Sequence, residues 1–196
     1  MVRVAIDNLG TTEPSTLPRP RRFSPVHDSR GAVVPVLYAG DSFTCALGET
    51  VFHDLPDDET TDASVLRADL LTVRAGFFTV TRDIELDLTD ASLRRLRVAG
   101  ARVVDTPPTS YDDTVAYARA AWRSTRAAGL VWNSRRHRTG RAYLLFVDPP
   151  RAADGRRAVD RRRDLAVTSP PLPLHDGRGL ELVLTAATDR GVAIVF

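Results

Sequence analysis

The sequence predicts a mixed α/β (α+β) fold in a single domain. Extended apolar runs and segments with helical periodicity follow one another without a regular alternation, which is typical of this class. The 196 residues are 43% apolar and 27% charged, an ordinary composition for a chain long enough to bury a core. Internal repeats and low-complexity segments are absent from the sequence, so a repeat architecture is excluded.

Charge and cysteine content narrow the functional classes. All 27 basic residues are arginine and the formal net charge is only +2, so the chain is not a polycation built for nucleic acid. Arginine binds phosphate with a planar fork, although a GC-rich genome explains the same bias. Because Cys45 is the only cysteine, an internal disulfide is impossible and a reducing compartment is expected. Without a signal peptide or an apolar run of about 20 residues, we expect a soluble cytoplasmic protein.

The beginning of the chain reads as an irregular segment. Three prolines among serines and threonines predict an N-terminal arm over residues 1–20, with at most a weak strand at Arg3–Ile6. The domain itself is expected over residues 21–196.

A strand–turn–helix unit organises the first half of the domain. The apolar run Val33–Tyr38 predicts a strand, and Asp41 or Ser42 can cap the helix that follows. Glu49 is expected about two turns into this helix, roughly 10–12 Å along its axis. A carboxylate so close to an apolar face is either paired or reactive. The apolar face comprises Phe43, Ala46, Leu47, Thr50 and Val51.

The middle of the chain predicts further strands and two helices. A short helix is expected from Asp90 or Ser92 to Gly100, and a longer one from a Ser110 cap to Thr125, with apolar residues at helical spacing. The extended runs are Leu70–Val73, Phe77–Val80 and Ile84–Leu88.

The last third of the chain continues the mixed pattern. The basic segment Arg151–Arg163 reads as a solvated helix face rather than a nucleic-acid patch. Short strands are expected at Leu130–Trp132 and Ala142–Val147, a helix near Leu180–Thr188 and a terminal strand at Val192–Phe196.

Several short segments, in order, resemble one known family. Arg22–Pro25 (RFSP), Val36–Ala39 (VLYA) and Ala46–Thr50 (ALGET) look like the opening of the RES-domain family, which is named for an arginine, a glutamate and a serine. Gly129–Arg135 (GLVWNSR), followed by a strand through Leu144–Phe146, is similar to the segment that bears the family's serine.

The resemblance implies a fold, an activity and partners. RES-domain proteins are toxins of bacterial toxin–antitoxin pairs that degrade NAD⁺ by hydrolysis or phosphorolysis at the nicotinamide–ribose bond. Their fold is related to ADP-ribosyltransferases, with a central twisted, largely antiparallel sheet flanked by helices. For this chain the resemblance implies NAD⁺ as substrate, no metal, and a helix-turn-helix antitoxin as partner. A homodimer within the complex fits that context, whereas direct contact with nucleic acid or membrane is not expected.

The resemblance also implies a catalytic set: Arg22, Tyr38, Glu49 and Ser134. Departure of nicotinamide leaves oxocarbenium character on the ribose, which the anionic Glu49 can stabilise. Arg22 can hold the pyrophosphate bidentately. Tyr38 can pack its ring against nicotinamide or ribose, and Ser134 can hydrogen-bond the ribose or the carboxamide.

Two further arginines complete the expected NAD⁺ contacts. Arg30 and Arg135 are candidate helpers at the pyrophosphate, beside Arg22, Tyr38 and Ser134. Family members usually carry another arginine next to an aromatic residue upstream of the RFSP segment. Here residues 1–20 hold no such pair, and Arg3 is the nearest substitute.

Other functions stay open at this point. The same residues suit an ADP-ribosyltransferase that acts on a macromolecule, or an inactive NAD-binding or partner-binding module. Glu49 and His53 share a helix face and could ligate a metal with help from another histidine. A nucleophilic pair of Ser134 and His137 is a poorer hypothesis, because three residues in a turn seldom align a base on a hydroxyl.

Overall fold

Eleven strands and four α-helices make up the part of the chain that the computed structural model describes, which is residues 1–6, 9–17, 21–56, 62–84, 86–88, 111–124, 127–137, 139–148 and 158–196. The strands are β1 (Val2–Ile6), β2 (Val26–His27), β3 (Val33–Val34), β4 (Val36–Gly40), β5 (Ser64–Leu66), β6 (Val73–Val80), β7 (Asp87–Leu88), β8 (Gly129–Asn133), β9 (Arg141–Phe146), β10 (Leu165–Pro173) and β11 (Ala193–Val195). The helices are α1 (Phe43–Gly48), α2 (Tyr111–Ser124), α3 (Arg161–Asp164) and α4 (Gly177–Thr188).

A seven-stranded sheet forms the centre of the molecule, in the order β10-β6-β1-β4-β9-β8-β7. Six of its strands pair antiparallel, and only β7 pairs parallel, with β8. Two smaller ribbons, β2–β3 and β5–β11, lie outside this sheet. The prediction of a mixed α/β domain with a largely antiparallel central sheet is confirmed.

The N-terminal segment is not an arm. Val2–Ile6 forms β1, which lies between β6 and β4 in the interior of the sheet. The expected short strand is therefore present, and Ser15 adds a β-bridge to Val36. The prolines that predict an irregular segment all lie after this strand, so they do not argue against a strand at residues 2–6.

The strand–turn–helix unit is present with a shorter helix than predicted. Ser42 is the N-cap of α1, and its side chain accepts a hydrogen bond from the Cys45 amide. The helix ends at Gly48, so Glu49 is its C-cap and not a residue two turns inside a longer helix. The predicted strand is divided: Val33–Val34 pairs with β2, and Val36–Gly40 enters the central sheet.

Most of the remaining elements match the prediction. The helix α2, the strands β8 and β9, the helix α4 and the terminal strand β11 all lie within one to three residues of the expected bounds. The strand β10 was not predicted, because Pro170, Pro171 and Pro173 argue against a strand. Since β10 is an edge of the sheet, its prolines cost no ladder hydrogen bond on the solvent side. The helix expected near residues 92–98 lies outside the described residues.

Helices cover the sheet through distinct apolar clusters. The helix α2 packs Ala118 and Trp122 against Phe146 and Trp132 of the sheet. On another cluster, α1 and α4 share a core. Its fully buried members include Leu47, Phe52, Leu70, Leu174 and Val183. No helix in the described part of the chain is long and apolar enough to cross a membrane.

Candidate functional site

A cavity of about 420 Å³ opens above the middle of the sheet. Its volume falls in the range of about 300–1,000 Å³ typical of small-molecule sites. Small apolar residues of the sheet form one wall. Aromatic side chains from β4, β8 and α2, and charged side chains from the surrounding loops, form the others. The lining residues on which the site depends are Arg22, Tyr38, Glu49, His53, Tyr111 and Trp132.

Glu49 is held at the cavity wall by Ser134. The Ser134 hydroxyl donates a hydrogen bond of 2.6 Å to Glu49 Oε1, which is in the short range of charge-assisted O–H···O⁻ contacts. The same hydroxyl accepts from the His137 amide at 2.9 Å, and the Ser134 amide donates to the Gly140 carbonyl at 2.9 Å. Because these backbone contacts fix Ser134, the carboxylate has one defined orientation.

Glu49 is placed at the cavity because α1 ends at Gly48, directly before it. Its amide donates to the Cys45 carbonyl at 3.0 Å, which completes the last helical turn. Cys45 lies underneath, and its fully buried side chain leaves the thiol with a pKa of about 12, chiefly through burial. A thiol with so high a pKa stays neutral and does not act as a nucleophile at the site.

Arg22 lies on another wall of the cavity and is itself buried. The Thr114 hydroxyl of α2 donates to the Arg22 carbonyl, and this anchors the backbone. Tyr111, at the start of α2, lines the cavity and hydrogen-bonds the Arg22 guanidinium. Burial raises the pKa of Tyr111, and the charge of Arg22 partly opposes that rise. The phenol therefore stays protonated at neutral pH and remains a hydrogen-bond donor.

Tyr38 presents its ring to the cavity while its hydroxyl is engaged elsewhere. The hydroxyl donates to Ser24 Oγ at 3.2 Å and accepts from the Phe23 amide at 3.2 Å. The ring meets Trp132 edge-on, with centroids 6.4 Å apart. Burial raises the pKa of Tyr38, so the residue is suited to packing and to fixing the Arg22 segment, and not to proton transfer.

Further arginines surround Glu49. Arg135 and Arg136 follow Ser134 directly, and Arg190 comes from the far end of the chain. Burial lowers the pKa of all three arginines. The charge of Arg136 lowers the pKa of Arg135 and Arg190 further. For Arg136, the carboxylates of Glu49 and Asp54 partly oppose the effect of burial. The site thus holds more guanidinium than carboxylate groups, which favours an anionic ligand.

The structure brings together the four residues of the implied catalytic set. Arg22, Tyr38 and Glu49 line one cavity, and Ser134 contacts it through Glu49. Arg135 is exposed, within the electrostatic reach of Arg22 and Glu49.

Two arginines considered for the ligand lie elsewhere. Arg30 belongs to an exposed turn, where its amide donates to Asp28 Oδ1, and it is not part of the cavity lining. The guanidinium of Arg3 is buried against the carbonyls of Gly10 and Glu13, so it holds the N-terminal turn and does not replace the missing arginine at the cavity.

The sequence pattern predicts no functional role for three residues near the site. Tyr111 lines the cavity, and Arg136 and Arg190 interact with the charge of Glu49. The stretch WNSRR carried a usable signal for Arg136, because consecutive arginines after the serine must share its loop. Nothing local marks Arg190, whose place depends on the packing of α4 against α1.

The rival sites are not supported by the geometry. His53 Nδ1 lies 2.8 Å from Asp54 Oδ1. Within the described ranges, no group of three or more His, Cys, Asp or Glu side chains could hold a metal ion. Ser134 contacts the backbone amide of His137 and not its ring, so the two residues do not form a nucleophile–base pair.

Comparison with known proteins identifies the family of the chain. The family model of the RES domain matches residues 4–175, which include every member of the implied catalytic set. A search among curated proteins and a search among solved structures each found no match. A match over most of the chain, together with the meeting of its arginine, glutamate and serine, shows that the protein belongs to the RES domain family.

Proposed function

We propose that the protein degrades NAD⁺ by cleaving the bond between nicotinamide and ribose. The observation that carries the proposal is the Glu49 carboxylate, oriented by Ser134 at 2.6 Å on the wall of a cavity that also holds Arg22. Membership of a family of toxins that act on NAD supports the choice of substrate.

Each residue of the cavity has a separate role in the proposed reaction. The C1′–N bond breaks, and its electron pair leaves with neutral nicotinamide. Glu49 faces the positive charge that develops at C1′ and lowers its free energy. Water or phosphate then bonds to C1′ and loses one proton to solvent. Arg22 and Tyr111 supply donors for the pyrophosphate or ribose oxygens, and the Tyr38 and Trp132 rings bound the space for the base.

Membership of the RES domain family implies a toxin–antitoxin pair. We propose that a helix-turn-helix antitoxin silences the enzyme by covering this cavity. The cavity is open to solvent on the side of the exposed Asp54 and Arg21, so a partner could block NAD⁺ without entering the sheet.

Nicotinamide release tests the proposed activity. The purified protein is incubated with NAD⁺, with and without inorganic phosphate, and free nicotinamide is measured by chromatography. We expect rapid release by the wild type and a loss of at least about 100-fold in Glu49→Gln, because the neutral amide cannot stabilise the cation. Glu181→Gln, the same change at an exposed position of α4, should retain wild-type activity.

The products distinguish the alternatives. Labelled NAD⁺ that marks a protein or nucleic acid would indicate an ADP-ribosyltransferase, whereas small products alone indicate a glycohydrolase or phosphorylase. Intact NAD⁺ at high protein concentration, in both buffers, would reject the proposed function and favour an inactive binding module.

A further inference from the structure

The turn that follows α1 adds a histidine to the cavity that holds Glu49. The amides of residues 50–52 all donate to the Leu47 carbonyl, at 3.2, 2.8 and 3.1 Å. The side chain of Phe52 is buried in the core that α1 shares with α4, and this anchors the turn. Because the chain folds back so tightly here, His53 and Asp54 line the same cavity as Glu49.

His53 and Asp54 form a hydrogen-bonded pair at the cavity. His53 Nδ1 lies 2.8 Å from Asp54 Oδ1. An ionised carboxylate only accepts hydrogen bonds, so Nδ1 carries the hydrogen, and in the neutral ring Nε2 keeps a free lone pair. The side chain of His53 is partly buried, and that of Asp54 is exposed. The pair thus has the arrangement in which a carboxylate fixes the tautomer and the orientation of a basic imidazole.

The contacts of His53 leave its second ring nitrogen available to a ligand. Arg136 Nη2 donates to the His53 carbonyl, so the backbone is held without use of the ring. Among the residues that the structure describes, the contact with Asp54 is the one hydrogen bond that the ring makes. Nε2 can therefore accept a proton from a molecule bound in the cavity.

The proposed reaction needs a proton acceptor when water is the nucleophile, because water that bonds to C1′ must lose one proton. Glu49 faces the positive charge on the ribose and already accepts from Ser134. The arginines of the cavity lining stay protonated, and burial raises the pKa of Tyr38 and of Tyr111. Among the described residues of the lining, His53 is the one imidazole, and imidazole is the side chain that enzymes most often use as a general base.

We propose that His53 is the general base for hydrolysis of NAD⁺ and that Asp54 is the residue that positions it. The C1′–N bond breaks and its electron pair leaves with nicotinamide. A lone pair of the water oxygen forms the bond to C1′, and one proton of that water moves to His53 Nε2. The imidazolium then releases the proton to solvent, while Nδ1 keeps its hydrogen bond to Asp54. This inference rests on the proposed function and deepens it, because it names water as a nucleophile that the protein itself activates.

Azide distinguishes a general base from a residue with a structural role, because this anion attacks C1′ without losing a proton. The variants are incubated with NAD⁺ in phosphate-free buffer, with and without sodium azide, and ADP-ribose, ADP-ribosyl azide and nicotinamide are measured by chromatography. In His53→Gln, we expect hydrolysis to fall about 100-fold, and formation of the azide product to stay within about threefold of wild type. In Asp54→Asn, hydrolysis should fall about 3- to 10-fold, again with the azide reaction retained.

His175→Gln is the matched control. His175 and Asp176 are also adjacent, with Nε2 3.4 Å from Oδ2, but they lie outside the cavity lining. Hydrolysis and the azide reaction should therefore both match wild type in this variant. Free imidazole gives a second readout: it should restore hydrolysis in His53→Ala, where it can replace the missing ring, and should restore none in Glu49→Gln.

Two results would overturn the role of His53. One is hydrolysis by His53→Gln within twofold of wild type. The other is a fall in the azide reaction as large as the fall in hydrolysis, because a displaced cavity wall affects every nucleophile alike. Where the wild type forms no azide product, imidazole alone decides: restored hydrolysis in His53→Ala supports the base, and no restoration overturns it. If the wild type releases no nicotinamide at all, the proposed function fails, and the role of His53 fails with it.

Discussion

Glu49 shows how a single residue obtains its chemistry from neighbours that are distant in sequence. It closes α1, accepts a 2.6 Å hydrogen bond from Ser134 and lies among arginines from three separate segments. The hydrogen bond from Ser134 orients the carboxylate. The arginines are the positive charges that interact with it.

Removal of the Ser134 hydroxyl should separate activity from stability. In Ser134→Ala, Glu49 Oε1 loses its donor and the His137 amide loses its acceptor. We expect kcat for NAD⁺ cleavage to fall about 10- to 100-fold, and the free energy of unfolding to fall by only about 1 kcal/mol. Steady-state kinetics and urea unfolding measure the two effects. Ser64→Ala, at an exposed position of β5, serves as the control, and activity within twofold of wild type in Ser134→Ala would contradict the role given to the hydroxyl.

Much of the site could be predicted because its residues lie in short recognisable segments. Arg22, Tyr38, Glu49 and Ser134 each sit in a stretch that resembles the family, and the structure places them around one cavity. Arg30 is predicted only from its proximity to Arg22 in the sequence, and it lies in an exposed turn outside the cavity lining.

At the scale of elements, a buried carboxylate joins β6, α3 and β10. We call this contact the joint. Asp164 ends α3 and is 1% exposed. Its carboxylate lies 3.0 Å from Arg82 Nη2 and 2.9 Å from Arg163 Nε, and it accepts from the Asp160 amide at 2.9 Å. The adjacent Thr81 amide donates to the Asp164 carbonyl at 2.9 Å. One side chain therefore ties the edge strand β10 to the chain that leaves β6.

This joint makes the stability of the fold sensitive to acid. The hydrogen bond from Arg163, ahead of those from Asp160 and Arg82, lowers the pKa of Asp164 from 3.8 to about 2. A group whose pKa is lower in the folded state stabilises the protein above its unfolded pKa, and the contribution disappears as pH falls from about 4 to about 2. The shift corresponds to about 2 kcal/mol at neutral pH.

Asp164→Asn should remove this contribution. We expect the free energy of unfolding at pH 7 to fall by about 2 kcal/mol, and the difference from wild type to shrink as pH approaches 2. Urea unfolding at several pH values measures both quantities. Asp69→Asn, at an exposed position of a 3₁₀ turn, should show neither effect. A difference that stays constant from pH 7 to pH 2 would indicate that the ion pairs do not set the acid response.

The sequence predicts those helices and strands whose formation depends on residues close together in the chain. The helix α2 has apolar residues at helical spacing, and β8 and β9 are short apolar runs, so both signals survive in the sequence alone. The sequence does not predict that β1 lies inside the sheet. Its five residues are too few to show a clear alternation of apolar and polar residues, and its partners β4 and β6 are distant in sequence. The edge strand β10 was missed because a proline-rich strand is tolerated only where one side is unpaired, a property of the assembled sheet.

For the whole molecule, the decisive expectation concerns growth of a bacterial host. Expression of the wild type without its antitoxin should lower cellular NAD⁺ and arrest growth, because removal of a shared cofactor affects all of metabolism. Glu49→Gln should allow normal growth, and Glu181→Gln should be as toxic as wild type. Growth curves and NAD⁺ extraction from matched cultures measure the outcome. Equal growth of all three strains at equal protein levels would argue against a toxin.

The sheet order has a consequence for the synthesis of the chain. Except for β7 with β8 and β8 with β9, the paired strands of the central sheet are not consecutive along the chain, and β4 pairs with β9 across about a hundred residues. Such long-range pairing slows folding. An unfinished chain that has emerged only as far as Asn133 carries Glu49 but lacks the hydroxyl that orients it and the strand that completes its wall. Under the proposed function, such a partly synthesised chain would therefore not cleave NAD⁺.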